Sequence, residues 1–329
     1  MKKHIWLSII LAALAVPVMA APRPLDFAGD TLAQAGSALQ AGEASKALSL
    51  LQSAPQSGPS AAEAQNVECR VRFTLQQWSA AAKACAQAVR LDGQNSNYHL
   101  WLGRAVGEEA GAASFLNAYS LGKQARLEFE TAVRLDPRNA EALSDLGEFY
   151  VEAPSVVGGG LDKAESVAEE LDRFDPAGAA DLRARIANAR KDYDTAEKDY
   201  KQAIPLSPHP SRAWATLASF YRTRGNWPQM QWAVRNCAVA AARDSNSGVA
   251  LFNGASVLIR ANQDPDLAAT MLEDYLNSPS RTEEGPAFLA HAWLARLKMQ
   301  LGDAAGAQQE QAAARALAGE YVPQKEFGR

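Results

Sequence analysis

Small residues recur along this chain about every 34 positions, and that spacing leaves few folds open. The clearest copy runs from Ala177 to Pro210. In it Ala184, Ala196 and Ala203 hold the eighth, twentieth and twenty-seventh places, Tyr193 and Tyr200 the seventeenth and twenty-fourth, and Pro208 the thirty-second. Two antiparallel helices joined by a tight turn come close only where the residues between their axes are small. Bulky residues on either side then fill the gap to the next pair. Proline ends the second helix because it cannot continue the hydrogen-bond ladder. Such a pair cannot bury its apolar face alone, so copies must stack.

The spacing recurs in both directions. Downstream, Trp214, Leu217, Ala218, Tyr221, Gly225, Asn226, Trp227 and Cys237 outline the next unit, with Met230 in a usual alanine place. Upstream, Cys69, Ala81, Cys85, Ala88, Leu91 and Asp92 outline another, preceded by Ala35, Gly42, Ala47, Leu51, Ala54 and Pro59. Trp293, Leu294, Ala295, Gly302, Asp303, Ala307 and Ala314 form the last unit, and Ala255, Ala268, Tyr275 and Pro279 fit a degenerate copy. Internal likeness is direct in His99–Ala105 (HLWLGRA) against His291–Leu297 (HAWLARL).

This pattern resembles the tetratricopeptide repeat family. The resemblance implies an all-α, right-handed α-solenoid of about seven to eight helix-turn-helix units, spanning 21–318 with a tail at 319–329. Two units within 96–176 are stretched. The first insertion, Gly107 to Gly122, keeps an apolar periodicity and should lengthen helices. The second contains Pro154 and Gly158-Gly159-Gly160, where a helix must stop and the backbone can turn freely. A further resemblance, to exported bacterial repeat proteins, rests on Trp-Leu-Gly-Arg, the run Glu148 to Pro154 and the triple glycine. It adds no mechanism.

Residues 1–20 look like a cleavable export signal: Lys2 and Lys3, an apolar run from Ile5 to Val16, and small residues before Ala21. That apolar run is shorter than the roughly 20 residues a bilayer needs. The periplasm is the expected compartment, with secretion as the alternative. From residue 21 the chain carries 31 basic against 37 acidic side chains. With no basic face, nucleic acid is not an expected partner.

Chemistry-bearing motifs are missing from the sequence. His99, His209 and His291 stand apart, with no His-Glu-x-x-His, no Cys-x-x-Cys and no nucleophile elbow. Neither an enzyme, a metal nor a cofactor is expected. Gly158–Gly160 before Asp162 could cradle an anion on backbone N–H groups, but a carboxylate at the helix start favours a plain turn. Cys69 and Cys85 hold facing places on the two helices of one unit, where a disulfide is expected in an oxidising compartment. Two buried thiols packing as small apolar groups is the alternative. Cys237 replaces an alanine and should be a buried thiol.

In this family the first helices line the concave face. The ninth places read Arg70, Arg104, Glu148, Arg185, Ser219 and Arg296, with Arg212 and Arg222 at neighbouring inward places. Such a row suits carboxylates, phosphates or aromatic faces. Glu63, Glu108, Glu141, Glu148, Glu152 and Asp181 share the face, so these charges could equally pair with one another. The expected function is a non-enzymatic scaffold that binds an unidentified peptide or protein in its groove. The alternative is a periplasmic small-molecule carrier using the aromatic and glycine-rich stretch 98–160.

Overall fold

The computed structural model describes residues 27–321 apart from Gln56 and Ser245; the leader expected at 1–20 and most of the tail expected at 319–329 lie outside the described residues. Among the described residues there are sixteen α-helices and no strand. In chain order the first eight are α1 (Phe27–Gln40), α2 (Ala44–Leu51), α3 (Pro59–Thr74), α4 (Trp78–Leu91), α5 (Ser96–Ala112), α6 (Phe115–Leu135), α7 (Ala140–Glu152) and α8 (Leu161–Leu171). The rest are α9 (Pro176–Ala189), α10 (Tyr193–Leu206), α11 (Pro210–Thr223), α12 (Trp227–Ala241), α13 (Ala250–Ala261), α14 (Pro265–Asn277), α15 (Ala287–Gln300) and α16 (Ala304–Leu317). They pair as eight hairpins, odd helix with the following even one.

The local reasons for each helix are plain in the sequence. Asp175, Asp192 and Asp303 accept hydrogen bonds from the N–H groups of Gly178, Thr195 and Gly306, which otherwise have no intrahelical partner. Proline opens α3, α9, α11 and α14, where its missing N–H does no harm. Within each hairpin the small residues sit between the axes: Cys69, Ala81, Ala88, Ala184, Ala196, Ala218 and Cys237 are fully buried. Gly103 and Gly147 take the eighth place in the stretched units. A methyl group at Gly103 would stand 2.7 Å from the Phe129 ring of α6, and one at Gly147 would stand 2.4 Å from Leu182 Cδ2 of α9, so α5 meets its hairpin partner, and α7 the next hairpin, closer than alanine permits. Cys69 and Cys85 are joined, α3 to α4, with 5.1 Å between their Cα atoms. Cys237 is a buried free thiol, and burial pushes it up to about 12.

The first insertion lengthens helices: α5 and α6 run 17 and 21 residues where α9 and α10 each run 14. The second becomes a 3-10 turn at Ser155–Val157 followed by the glycines. Their backbone donors are spent inside the turn: the N–H groups of Gly158, Gly159 and Gly160 bond the carbonyls of Ser155, Pro154 and Tyr150. That removes the anion cradle. Gly159 also passes so close to the Ala153 carbonyl that a methyl group there would lie 1.8 Å from its oxygen.

The eight hairpins do not form an open arc. The last hairpin comes round to meet the first. Phe288 of α15 is fully buried in a core shared with Ala35, Leu39, Val67 and Val71. Gly42 lies against the backbone of Ala287, and the Gly319 N–H bonds Ser45 Oγ at 3.0 Å. The concave face expected from the repeat is therefore the inner wall of a ring, whose space is the lumen.

Candidate binding site in the lumen

Most of the lumen lining comes from α3, α5, α6 and α7, together with the turn at Ala153–Val157 and the segment linking α14 to α15. These surround a cavity of about 960 Å³, at the upper end of the size of ordinary ligand pockets. Its apolar wall includes Phe73, Trp78, Trp101, Phe129 and Phe149. Phe73 meets the edges of Trp78 and Trp101 with ring centroids 5.1 and 5.6 Å apart, which fixes this wall. Phe115, Tyr119 and Val156 complete the lining at the stretched hairpin, and Phe115 is 87% exposed. A ring that bare is explained by neither helix packing nor capping.

The arginine row is largely committed to the chain's own carboxylates. Arg70 forks onto Glu283, with Nε to Oε2 at 3.0 Å, and Gln40 bonds the same carboxylate. Arg104 pairs with Asp145 and, at 3.3 Å, with Glu141, while its guanidinium stacks 4.7 Å from the Trp101 ring centroid. Arg185 bonds Asp181 and Glu148, each at 2.7 Å. Of the predicted row, Arg104 and Glu148 line the cavity, and Arg104 is the one arginine that does. Arg296 lines a separate small crevice between α13 and α15. The Nε groups of Arg212 and Arg222 are buried without a hydrogen-bond partner among the described residues. Burial and the nearby Arg260 hold the Arg222 guanidinium below its usual range.

What the row loses, the acids gain. Glu108, Asp145, Glu148, Glu152, Glu283 and Glu284 line the cavity against the single cation Arg104. Enclosure, which strips water from the charged form, pushes the carboxyls of Asp145, Glu148 and Glu284 above their ordinary range. For each of the three, nearby arginines offset this only in part: Arg104 for Asp145, Arg185 for Glu148, Arg212 and Arg104 for Glu284. Glu284 is solvent-exposed within the lumen and, like Glu152, accepts no hydrogen bond from a described residue.

Glu283 and Glu284 were invisible as site residues in the sequence, because they stand between repeats. Tyr275 puts them there. Its fully buried side chain donates to the Gly285 carbonyl at 2.5 Å and accepts the Thr282 N–H at 3.1 Å. The Gly248 N–H bonds Ser280 Oγ at 3.2 Å, so both ends of the segment are tied down and its acids face inward.

The histidines brace repeats. His99 Nδ1 lies 2.6 Å from Glu128 of α6, and His291 Nδ1 lies 2.6 Å from Glu310 of α16, the same contact in the two units whose sequences match. His209 contacts Asp244 at 3.0 Å. Among the described residues no group of His, Cys, Asp and Glu is arranged to hold a metal ion.

The decisive feature of the architecture is that eighth-, twentieth- and twenty-seventh-place residues meet between the axes in hairpin after hairpin: Cys69, Ala81 and Ala88, then Ala184, Ala196 and Ala203. The fold is a tetratricopeptide-type solenoid. Solved tetratricopeptide structures resemble it at the level of architecture. A thermophilic protein of this type from Thermus thermophilus is 20% identical over 58% of this chain and 97% of its own, with a TM-score of 0.49. One from Parabacteroides merdae is 13% identical over 82% of this chain and 98% of its own, with a TM-score of 0.48. No protein-family model matches the chain, and no curated protein matches it in sequence. No helix among the described residues is long and apolar enough to cross a membrane.

Proposed function

We propose that this protein is a non-enzymatic binding scaffold of the bacterial cell envelope that takes a segment of a partner protein into its lumen. The observation that carries the reading is the cavity walled by α5–α7, where large apolar side chains are bared to a site already built and braced. A preformed wall of this kind needs little ordering on binding, so modest contacts translate into affinity. The charge distribution gives no footing for nucleic acid. The leading twenty residues and the Cys69–Cys85 bond support an exported, oxidising location.

A small-molecule carrier is the second reading. It is favoured by one observation, the closure of α15 onto the first hairpin, which limits the lumen's width. Site-specific photo-crosslinking in cells tests both. A probe at Glu152, in the lumen, should capture a discrete protein partner, while one at the exposed Trp227 should not. Equal capture from both positions would remove the lumen as the contact. A low-molecular-mass adduct at Glu152, with no protein, would favour the carrier.

A further inference from the structure

The lumen offers a ligand two things together, an apolar wall and an unbalanced negative charge. Asp145 and Glu283 are already neutralised by Arg104 and Arg70, and Glu148 by Arg185. Glu152 and Glu284 form no direct ion pair or hydrogen bond with a described residue, and Arg212 and Arg104 act on Glu284 only from a distance. Each is solvent-exposed and each lines the same cavity, Glu152 from the end of α7 and Glu284 from the segment before α15. Phe115 and Tyr119 of α6 and Phe149 of α7 stand in the same lining. Carboxylates enclosed by low-dielectric walls repel one another and attract a countercharge more strongly than they would in open water.

From this we infer that the lumen selects a cationic, apolar peptide segment: an extended stretch with a lysine or arginine side chain between Glu152 and Glu284, flanked by aliphatic or aromatic residues on the α5–α7 wall. The inference rests on the scaffold reading and gives it a ligand class. Charge complementarity decides against an acidic segment, which would meet Glu152 and Glu284 in a lining whose one cation, Arg104, already holds Asp145. It equally decides against a purely apolar one, which would bury Glu152 and Glu284 without a direct ion-pair partner, an expensive arrangement. The same logic explains why the arginine row does not read as a carboxylate clamp: each of Arg70, Arg104 and Arg185 already holds one.

The test is a selection of random displayed peptides on the purified protein, followed by binding measurements with the selected peptides. The expected winners carry Lys or Arg beside Leu, Phe, Tyr or Trp. Replacing that basic residue by its neutral isostere should weaken binding about ten-fold, and raising the salt from low to high should weaken it further. The double variant Glu152→Gln/Glu284→Gln keeps side-chain shape at two exposed positions. It should lose about ten-fold for basic peptides and nothing for neutral ones, with an unchanged circular-dichroism spectrum. Peptides that compete for the lumen with no basic preference, and bind the double variant equally well, would overturn this inference and leave the scaffold reading standing. Failure to select any peptide whose binding is abolished by Phe115→Asp or Tyr119→Asp would overturn both. Binding of a free aromatic amine, with no peptide selected, would overturn the peptide as occupant and favour the carrier.

Discussion

The stretched arc, α5 to α8, and the regular arc, α9 to α12, are built from the same hairpin and do opposite things. In the regular arc the eighth place is alanine, Ala184 and Ala218, the helices run 14 or 15 residues, and Tyr200, Phe220 and Tyr221 pack inward, with Trp227 and Trp232 half-exposed. In the stretched arc the eighth place is glycine, the helices run up to 21 residues, and Phe115, Leu116 and Val156 are left in the open. Closer packing at these glycines and extra helix length turn a structural unit into a lining. The site is a local elaboration, and the regular repeats position it.

Four measurements put that contrast at risk. The largest should come from the crosslink that pins the wall ahead of the stretched arc. Closing a loop of 16 residues is worth about 3 kcal/mol in the chain-entropy model. Cys69→Ala/Cys85→Ala should lower the melting temperature by several degrees, whereas Cys237→Ala in the regular arc should cost only about 1 kcal/mol. Equal losses would show that the crosslink does not distinguish the two regions.

Next come the eighth places. Gly147→Ala forces a methyl group into Leu182, and Gly103→Ala forces one into the Phe129 ring, so each should destabilise by about 1–3 kcal/mol. Ala184→Gly in the regular arc should cost about 1 kcal/mol, from backbone entropy and a small void. Denaturant titrations of the three variants decide. A tolerated Gly103→Ala would mean that the stretched hairpin is not closer-packed than its neighbours.

The junction between the arcs is Arg185, which bonds Glu148 of one and Asp181 of the other. Arg185→Met should cost about 1–2 kcal/mol, because it leaves partly buried carboxylates unpaired. It should also strengthen binding of basic peptides in the lumen, so stability and affinity move in opposite directions. A parallel loss of both would place Arg185 in the contact itself.

The smallest effect concerns the lumen's acids. A carboxyl whose folded pKa is raised binds more protons folded than unfolded. Its favourable contribution is greatest at low pH and is lost as the pH rises through the folded value. Glu284→Gln should therefore raise the melting temperature at pH 7 by about 1–2 °C, with the gain vanishing at acid pH, where the carboxyl is protonated in both states. A gain independent of pH would have another cause.

Much of this was legible in the sequence. The repeat predicted the hairpins and their small-residue seams, and the apolar periodicity of 107–122 predicted longer helices. Arg185 and Glu148, like Arg104 and Glu141, are 37 residues apart, close to one repeat. A search for opposite charges at that spacing finds both pairs in the sequence itself. Glu283 and Glu284 were beyond reach for a different reason. They lie outside the repeat pattern, and their entry into the lumen depends on Tyr275 gripping the Thr282 and Gly285 backbone. Closure of the ring was equally hidden. It is the sum of small rotations over eight hairpins, and no single stretch of sequence carries it.

That closure limits how the molecule can change. An open stack of hairpins tolerates duplication or loss of a unit, since each copy touches only its neighbours. Here the seat for Phe288 is made by the first two hairpins, so an added or deleted unit would carry the ring past its socket or leave it short. Copy number is thereby locked, and diversification of such a protein must proceed by lengthening helices within units, the route its own fifth and sixth helices already display.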